Sequence, residues 1–196
     1  MSFSNKKISE DKIFIDDYWS RYQKHFFESR DDESILRLRD SIKETNSIGG
    51  KLIFVGNGAS ASLSSHAATD FTKQAKISAI AFNDHNLITA LANDYGYENW
   101  VSKAIEYYVE RNDMIIFISV SGESKNLVNG LNYSLKNNFK TASLTGSKKD
   151  NSLMKNSQYS LWVNSKAYNI VECIHTIWIT LIIDLLVGHP EYSVRE

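Results

Sequence analysis

The spacing of apolar residues divides this chain into two regimes. Ile13, Phe14, Trp19, Tyr22, Phe26 and Phe27 recur mainly every three to five positions with no Gly or Pro between them. That period predicts an aromatic-striped helix with one face in need of a partner. Asp31 or Asp32 stands where it caps a second helix carrying Ile35, Leu36, Leu38 and Ile42, and Gly49 and Gly50 stop it. From residue 51 onward the apolar positions gather into short runs at 51–55, 78–82, 114–118, 141–144 and 159–163. These are β-rich and bounded by polar residues or Gly, which predicts strands. Helical spacing fills the intervals over 60–74, 86–92, 98–110 and 124–136. Strands that are apolar at nearly every position, alternating with helices, indicate a parallel sheet covered on both faces. The expected architecture is a doubly wound α/β fold. It has a five-stranded parallel sheet flanked by helices, an N-terminal helical extension over 1–48, and a sheet core with a C-terminal helix over 51–188.

The last predicted helix, about 169–188, is apolar around most of its circumference, more than one sheet face can bury. Together with the aromatic first helix it suggests packing between subunits; a wholly internal core helix fits the pattern equally well. Pro190, the sole proline, sits just past this helix, and the tail from His189 to the end is expected at the surface.

Composition narrows the class. A chain of 196 residues with 42% hydrophobic content suits a single domain over 1–196. With 22 Lys and Arg against 23 Asp and Glu, no basic field exists to hold a nucleic-acid backbone. Cys173 is the one cysteine, so an internal disulfide and a thiolate zinc cluster are excluded and a reducing cytoplasm is expected. The N-terminus lacks the apolar stretch of an export signal. Residues 174–187 are interrupted by His175 and Asp184, fall short of the roughly 20 residues a bilayer requires, and read as a buried helix. No membrane association and no nucleotide cofactor are expected.

Two strand ends carry candidate chemistry. Gly56-Asn57-Gly58-Ala59-Ser60 permits tight backbone geometry directly before a helix, so that free amides meet an anion. Ser119-Val120-Ser121-Gly122-Glu123-Ser124 sets three hydroxyls on one turn before another helix N-terminus. Hydroxyls, unpaired backbone N–H groups and the positive helix end all favour phosphate. Ordinary turn and capping chemistry explains either loop alone, and two such loops after two strands favour a shared ligand.

These segments, with His66, the run 87–97, Leu144-Thr145-Gly146 and His175, occur in an order and spacing that resemble the sugar isomerase (SIS) domain, closest to its phosphoheptose isomerase branch. The resemblance spans 56–175. It implies a homotetrameric cytoplasmic protein that isomerises sedoheptulose 7-phosphate to D-glycero-D-manno-heptose 7-phosphate for lipopolysaccharide or capsule synthesis, with zinc bound in some members. By resemblance, Gly58, Ser60, Ser119, Ser121 and Ser124 contact the phosphate, and Asn57 and Asp94 shape the sugar site. Val120 replaces a threonine of the family, and Glu123 replaces an asparagine and adds negative charge beside the anion.

Moving a carbonyl between C1 and C2 needs a base to carry a proton through an enediol and an electrophile to steady the oxyanion. His66 and Asp70 are four apart on a predicted helix, a spacing suited to chelation. Asp70 stands where the family has a glutamate. Glu172 replaces a glutamine and His175 is retained, whereas Thr180 replaces a second histidine and Gln74 an arginine. His85, beyond the strand at 78–82, is a further candidate. The resulting expectation assigns proton transfer to Asp70, Glu172, His175 and His85, and a zinc site to His66, Asp70 and Glu172. The alternative is a non-catalytic SIS regulator or adaptor that senses a sugar phosphate and binds a protein partner.

Overall fold

Residues of one strand feed two different cores. The strands are β1 (Leu52–Gly56), β2 (Ala79–Ala81), β3 (Met114–Ser119), β4 (Lys140–Thr145) and β5 (Tyr159–Trp162) in a computed structural model that describes residues 2–190. They pair in parallel in the order β2-β1-β3-β4-β5. The helices are α1 (Ser2–Glu28), α2 (Asp32–Ser47), α3 (Ala59–Lys73), α4 (His85–Tyr95), α5 (Trp100–Tyr108), α6 (Lys125–Lys136), α7 (Ser152–Asn156) and α8 (Tyr168–Val187). Leu52, Phe54, Met114, Ile116 and Ile118 pack with Ile35, Leu38, Phe71 and Trp178 of α2, α3 and α8. The alternating residues Ile53, Val55, Ile115 and Phe117 pack with Trp100, Val101, Leu127 and Leu131 of α5 and α6. Burial on both faces is why these strands are apolar throughout.

The expected fold is therefore present, with local adjustments. Asp31 takes the α2 cap, its Oδ1 accepting the Ser34 N–H at 3.0 Å, while Asp32 pairs with Arg30. Sequence period did not reveal α7, because five residues are too few to display one; its start is set by Asn151, whose Oδ1 accepts the Met154 N–H at 2.9 Å. The segment of the C-terminal tail beyond Pro190 lies outside the described residues.

α1 and α8 decide what the fold leaves open. Only the C-terminal part of α1 reaches the core, through Tyr22 and Phe26. Ile8, Ile13, Phe14 and Trp19 remain about two-thirds exposed. α8 buries Ile174, Trp178 and Ile182 against the sheet, but Ile177 and Leu181 face outward. At the amino ends of β1 and β3, buried Asp113 accepts from the Lys51 N–H at 2.9 Å, the Glu110 N–H at 2.8 Å and the Lys51 ammonium at 2.6 Å. This fastening lies at the end of the sheet opposite the candidate site.

Candidate active site

The sheet order places β1 between β2 and β3, so the chain runs from β1 to one side and then back past it to β3 on the other, and a crevice opens at the carboxyl ends of β1 and β3. Both loops singled out in the sequence border it. In the first, a Cβ on Gly56 would lie 2.7 Å from the Ser60 backbone, so the start of α3 folds tightly over the strand end. In the second, Gly122 has φ +66°, and a side chain there would collide with Asn151. Glycine is required at Gly122 on both counts.

The serines are arranged to donate. Ser119 Oγ accepts the Gly122 N–H at 3.1 Å and Ser121 Oγ accepts the Glu123 N–H at 3.2 Å, so each of these hydroxyls is oriented by a backbone amide and keeps a hydrogen to donate. Ser124 caps α6 without a side-chain bond, and its hydroxyl lies 3.5 Å from that of Ser119. These three, with Asn57, Gly58, Ser60, Tyr168 and Glu172, line a cavity of about 260 Å³. The N-termini of α3 and α6 both open into it, each bringing first-turn amides that no helical carbonyl satisfies. Among the described residues no Lys or Arg lines the cavity. Anion binding there rests on amides and hydroxyls.

The negative charge expected of Glu123 is directed elsewhere. Its carboxylate accepts the Ser152 N–H and the Ser152 hydroxyl, both at 2.7 Å, at the start of α7. Val120, where a hydroxyl was missing, is 6% exposed and joins the core.

A second cavity of about 310 Å³ shares Ala59, Ser60 and Glu172 with the first and adds His66, Cys173, His175 and Thr176. Glu172 thus stands in the wall between a phosphate-sized cradle and a pocket holding histidine. His66 Nε2 lies 3.3 Å from Asp70 Oδ2 across one helical turn. His175 is fully buried and its Nε2 donates to the Thr145 carbonyl at 3.1 Å. Burial lowers its pKa to about 4, so the ring is neutral at ordinary pH.

Residues 17–146 match the SIS domain model. A phosphoheptose isomerase of Helicobacter pylori strain HPAG1 is 37% identical over 153 residues, covering 74% of this chain and 79% of that protein. The phosphoheptose isomerase of Thermodesulfovibrio yellowstonii is 33% identical, with 74% and 75% covered. The chain belongs to the SIS domain family, in its phosphoheptose isomerase branch. The solved structure of phosphoheptose isomerase GmhA from Neisseria gonorrhoeae shares the fold, with a TM-score of 0.84 at 21% identity over 90% of this chain and 98% of that one.

Within this phosphoheptose isomerase framework, the structure gathers Gly58, Ser60, Ser119, Ser121, Ser124, Asn57 and Glu172 at one cavity, and His66, Glu172 and His175 at its neighbour. His85 is the exposed first residue of α4, and Asp94 is exposed in its last turn, accepting from Asn93 Nδ2 at 2.9 Å. Neither lines either cavity. His175, expected to transfer protons, is held between α8 and the end of β4 by its bond to the Thr145 carbonyl. Among the described residues no three His, Cys, Asp or Glu side chains converge as metal ligands. Thr180, where the family's second histidine would fall, donates its hydroxyl to the Thr176 carbonyl at 3.0 Å.

Sequence reasoning passed over Asn126, Tyr97 and Tyr168. Asn126 is 3% exposed at the start of α6; its place two positions after the serine turn was visible in the sequence, but its burial was not. Tyr168 falls at the first residue of α8, where period carries no information about what the ring faces.

Proposed function

We propose that this chain is an aldose-ketose isomerase that interconverts sedoheptulose 7-phosphate and D-glycero-D-manno-heptose 7-phosphate. The observation that carries the reading is the convergence of two helix N-termini and the hydroxyls of Ser60, Ser119, Ser121 and Ser124 on one cavity, whose wall is the carboxylate-bearing Glu172. Each hydrogen bond to a charged group contributes about 1.5–3 kcal/mol, so four or five hold a phosphate without an arginine. With the phosphate seated there, the sugar extends past Glu172 toward His66.

Glu172 is assigned as the base. It removes the proton from C1 of the ketose as O2 takes up a proton, which gives an enediol; the proton returns to C2 as O1 loses its own. His66, held by Asp70, relays the hydroxyl proton between O1 and O2. A positioned base accounts for about 10² to 10⁴ in rate. No step is routed through a metal, because among the described residues no three candidate donors converge as ligands. The adaptor reading is not favoured, since the relatives at 33–37% identity are named isomerases.

The outward stripe of α1, with Ile177 and Leu181 of α8, is assigned to contacts with further copies, in a homotetramer working in the cytoplasm. Light scattering on the purified chain tests the assembly, and a monomer would refute it. An isomerase assay with sedoheptulose 7-phosphate beside a thermal-shift measurement with the same sugar tests the function. Turnover with stabilisation is expected; stabilisation without turnover would point to the adaptor, and neither would remove the heptose assignment.

A further inference from the structure

The two cradle turns are joined by one pair of side-chain amides. Asn57, in the turn after β1, and Asn126, in the first turn of α6, are 69 residues apart and form a reciprocal amide pair. Asn57 Nδ2 donates to Asn126 Oδ1 at 3.0 Å, and Asn126 Nδ2 donates to Asn57 Oδ1 at 2.9 Å. The hydroxyl of Tyr97, just after α4, donates to the same Asn57 Oδ1 at 3.1 Å. An amide oxygen has two lone pairs, so this one is filled, and a single Nδ2 hydrogen is left for any ligand. Asn126 is 3% exposed, and both its Oδ1 and its Nδ2 bond to Asn57.

The arrangement matters because the cradle contains no cation. Amides and hydroxyls bind an anion only when aligned, and hydrogen bonds weaken steeply as their angles fall. The first-turn amides of α3 come from one loop and those of α6 from the other, so their spacing fixes how many reach the same phosphate. We propose that Asn126 and Tyr97 are positioning residues that clamp the two turns through Asn57 and thereby set phosphate affinity. The proposal rests on the phosphate-cradle reading above and adds what holds the cradle in shape.

Tyr97→Phe removes one hydroxyl from a side chain that is 56% exposed, so the fold is retained. Inorganic phosphate titrated calorimetrically into the full chain is expected to bind about three- to tenfold more weakly, the range for one lost hydrogen bond. The KM for sedoheptulose 7-phosphate rises by the same factor with kcat and melting temperature little changed. Asn126→Asp keeps the acceptor, loses the donor and faces Asn57 Oδ1 with a negative charge, so its loss is larger. Tyr95→Phe, which breaks only the 3.0 Å contact with Tyr107, leaves phosphate affinity unchanged. Wild-type affinity in both Tyr97→Phe and Asn126→Asp would overturn the clamp alone. A wild-type chain that binds no phosphate would overturn the cradle itself and the clamp with it.

Discussion

Glu123 and Ser152, 29 residues apart, are joined by two 2.7 Å hydrogen bonds in which the carboxylate accepts both the backbone N–H and the hydroxyl of the serine. A charge that adjoins the phosphate turn in sequence is thereby directed at the start of α7 and braces the turn from behind. The same loop is held by the Leu153 N–H on the Gly122 carbonyl at 3.1 Å and the Gly146 N–H on the Val120 carbonyl at 3.0 Å.

Glu123→Gln is accordingly expected to cost stability and leave the ligand nearly untouched. Losing the charge-assisted bonds removes about 1 kcal/mol, or roughly 2–4 °C in melting temperature for a chain of this size. Phosphate affinity measured on the same sample changes less than twofold. A tenfold gain in affinity would show that the carboxylate faces the anion.

How much of this was legible in the sequence depends on distance along the chain. The runs that became β1 and β3 were readable because both faces of each strand are buried, and the phosphate turns because glycine, serine and a helix start adjoin one another locally. The tie between Glu123 and Ser152, the Asn57–Asn126 pair and the position of Glu172 between two cavities were not readable. Each depends on tertiary packing of elements that hydrophobic period cannot orient. His175 shows the reverse case: a motif position was recognised, but its burial, which takes away its basicity, belongs to the folded core.

Asp113 makes a prediction confined to stability. It is 2% exposed and satisfies two backbone amides and the Lys51 ammonium. Asp113→Ala leaves the two amides without an acceptor and the Lys51 ammonium with only Glu110 at 3.8 Å, and is expected to lower unfolding free energy by about 3 kcal/mol. Denaturant unfolding reads the loss, and phosphate affinity, set at the other end of the sheet, stays at the wild-type value.

His175 gives the fold a pH dependence. Its pKa falls from 6.5 to about 4 on folding, so between these values the unfolded chain binds more protons than the native one. Its contribution to stability is complete above pH 6.5 and is lost as pH falls toward 4, by up to about 3 kcal/mol. Urea unfolding of the wild type and His175→Gln at pH 7 and pH 5 checks the sign. The wild type should lose more stability between the two than the variant, and equal losses would place the titration elsewhere.

The division of labour between cradle and carboxylate is tested most directly by NMR of sedoheptulose 7-phosphate in D₂O with wild type and Glu172→Gln. An enediol formed by Glu172 predicts that the wild type converts the sugar and exchanges deuterium into its carbon-bound positions. The variant is predicted to bind the sugar with at least wild-type affinity while exchange and conversion fall about 10² to 10⁴-fold together. Undiminished exchange in Glu172→Gln would contradict the assignment of the base, and a wild-type chain that neither binds nor converts the sugar would contradict the account as a whole.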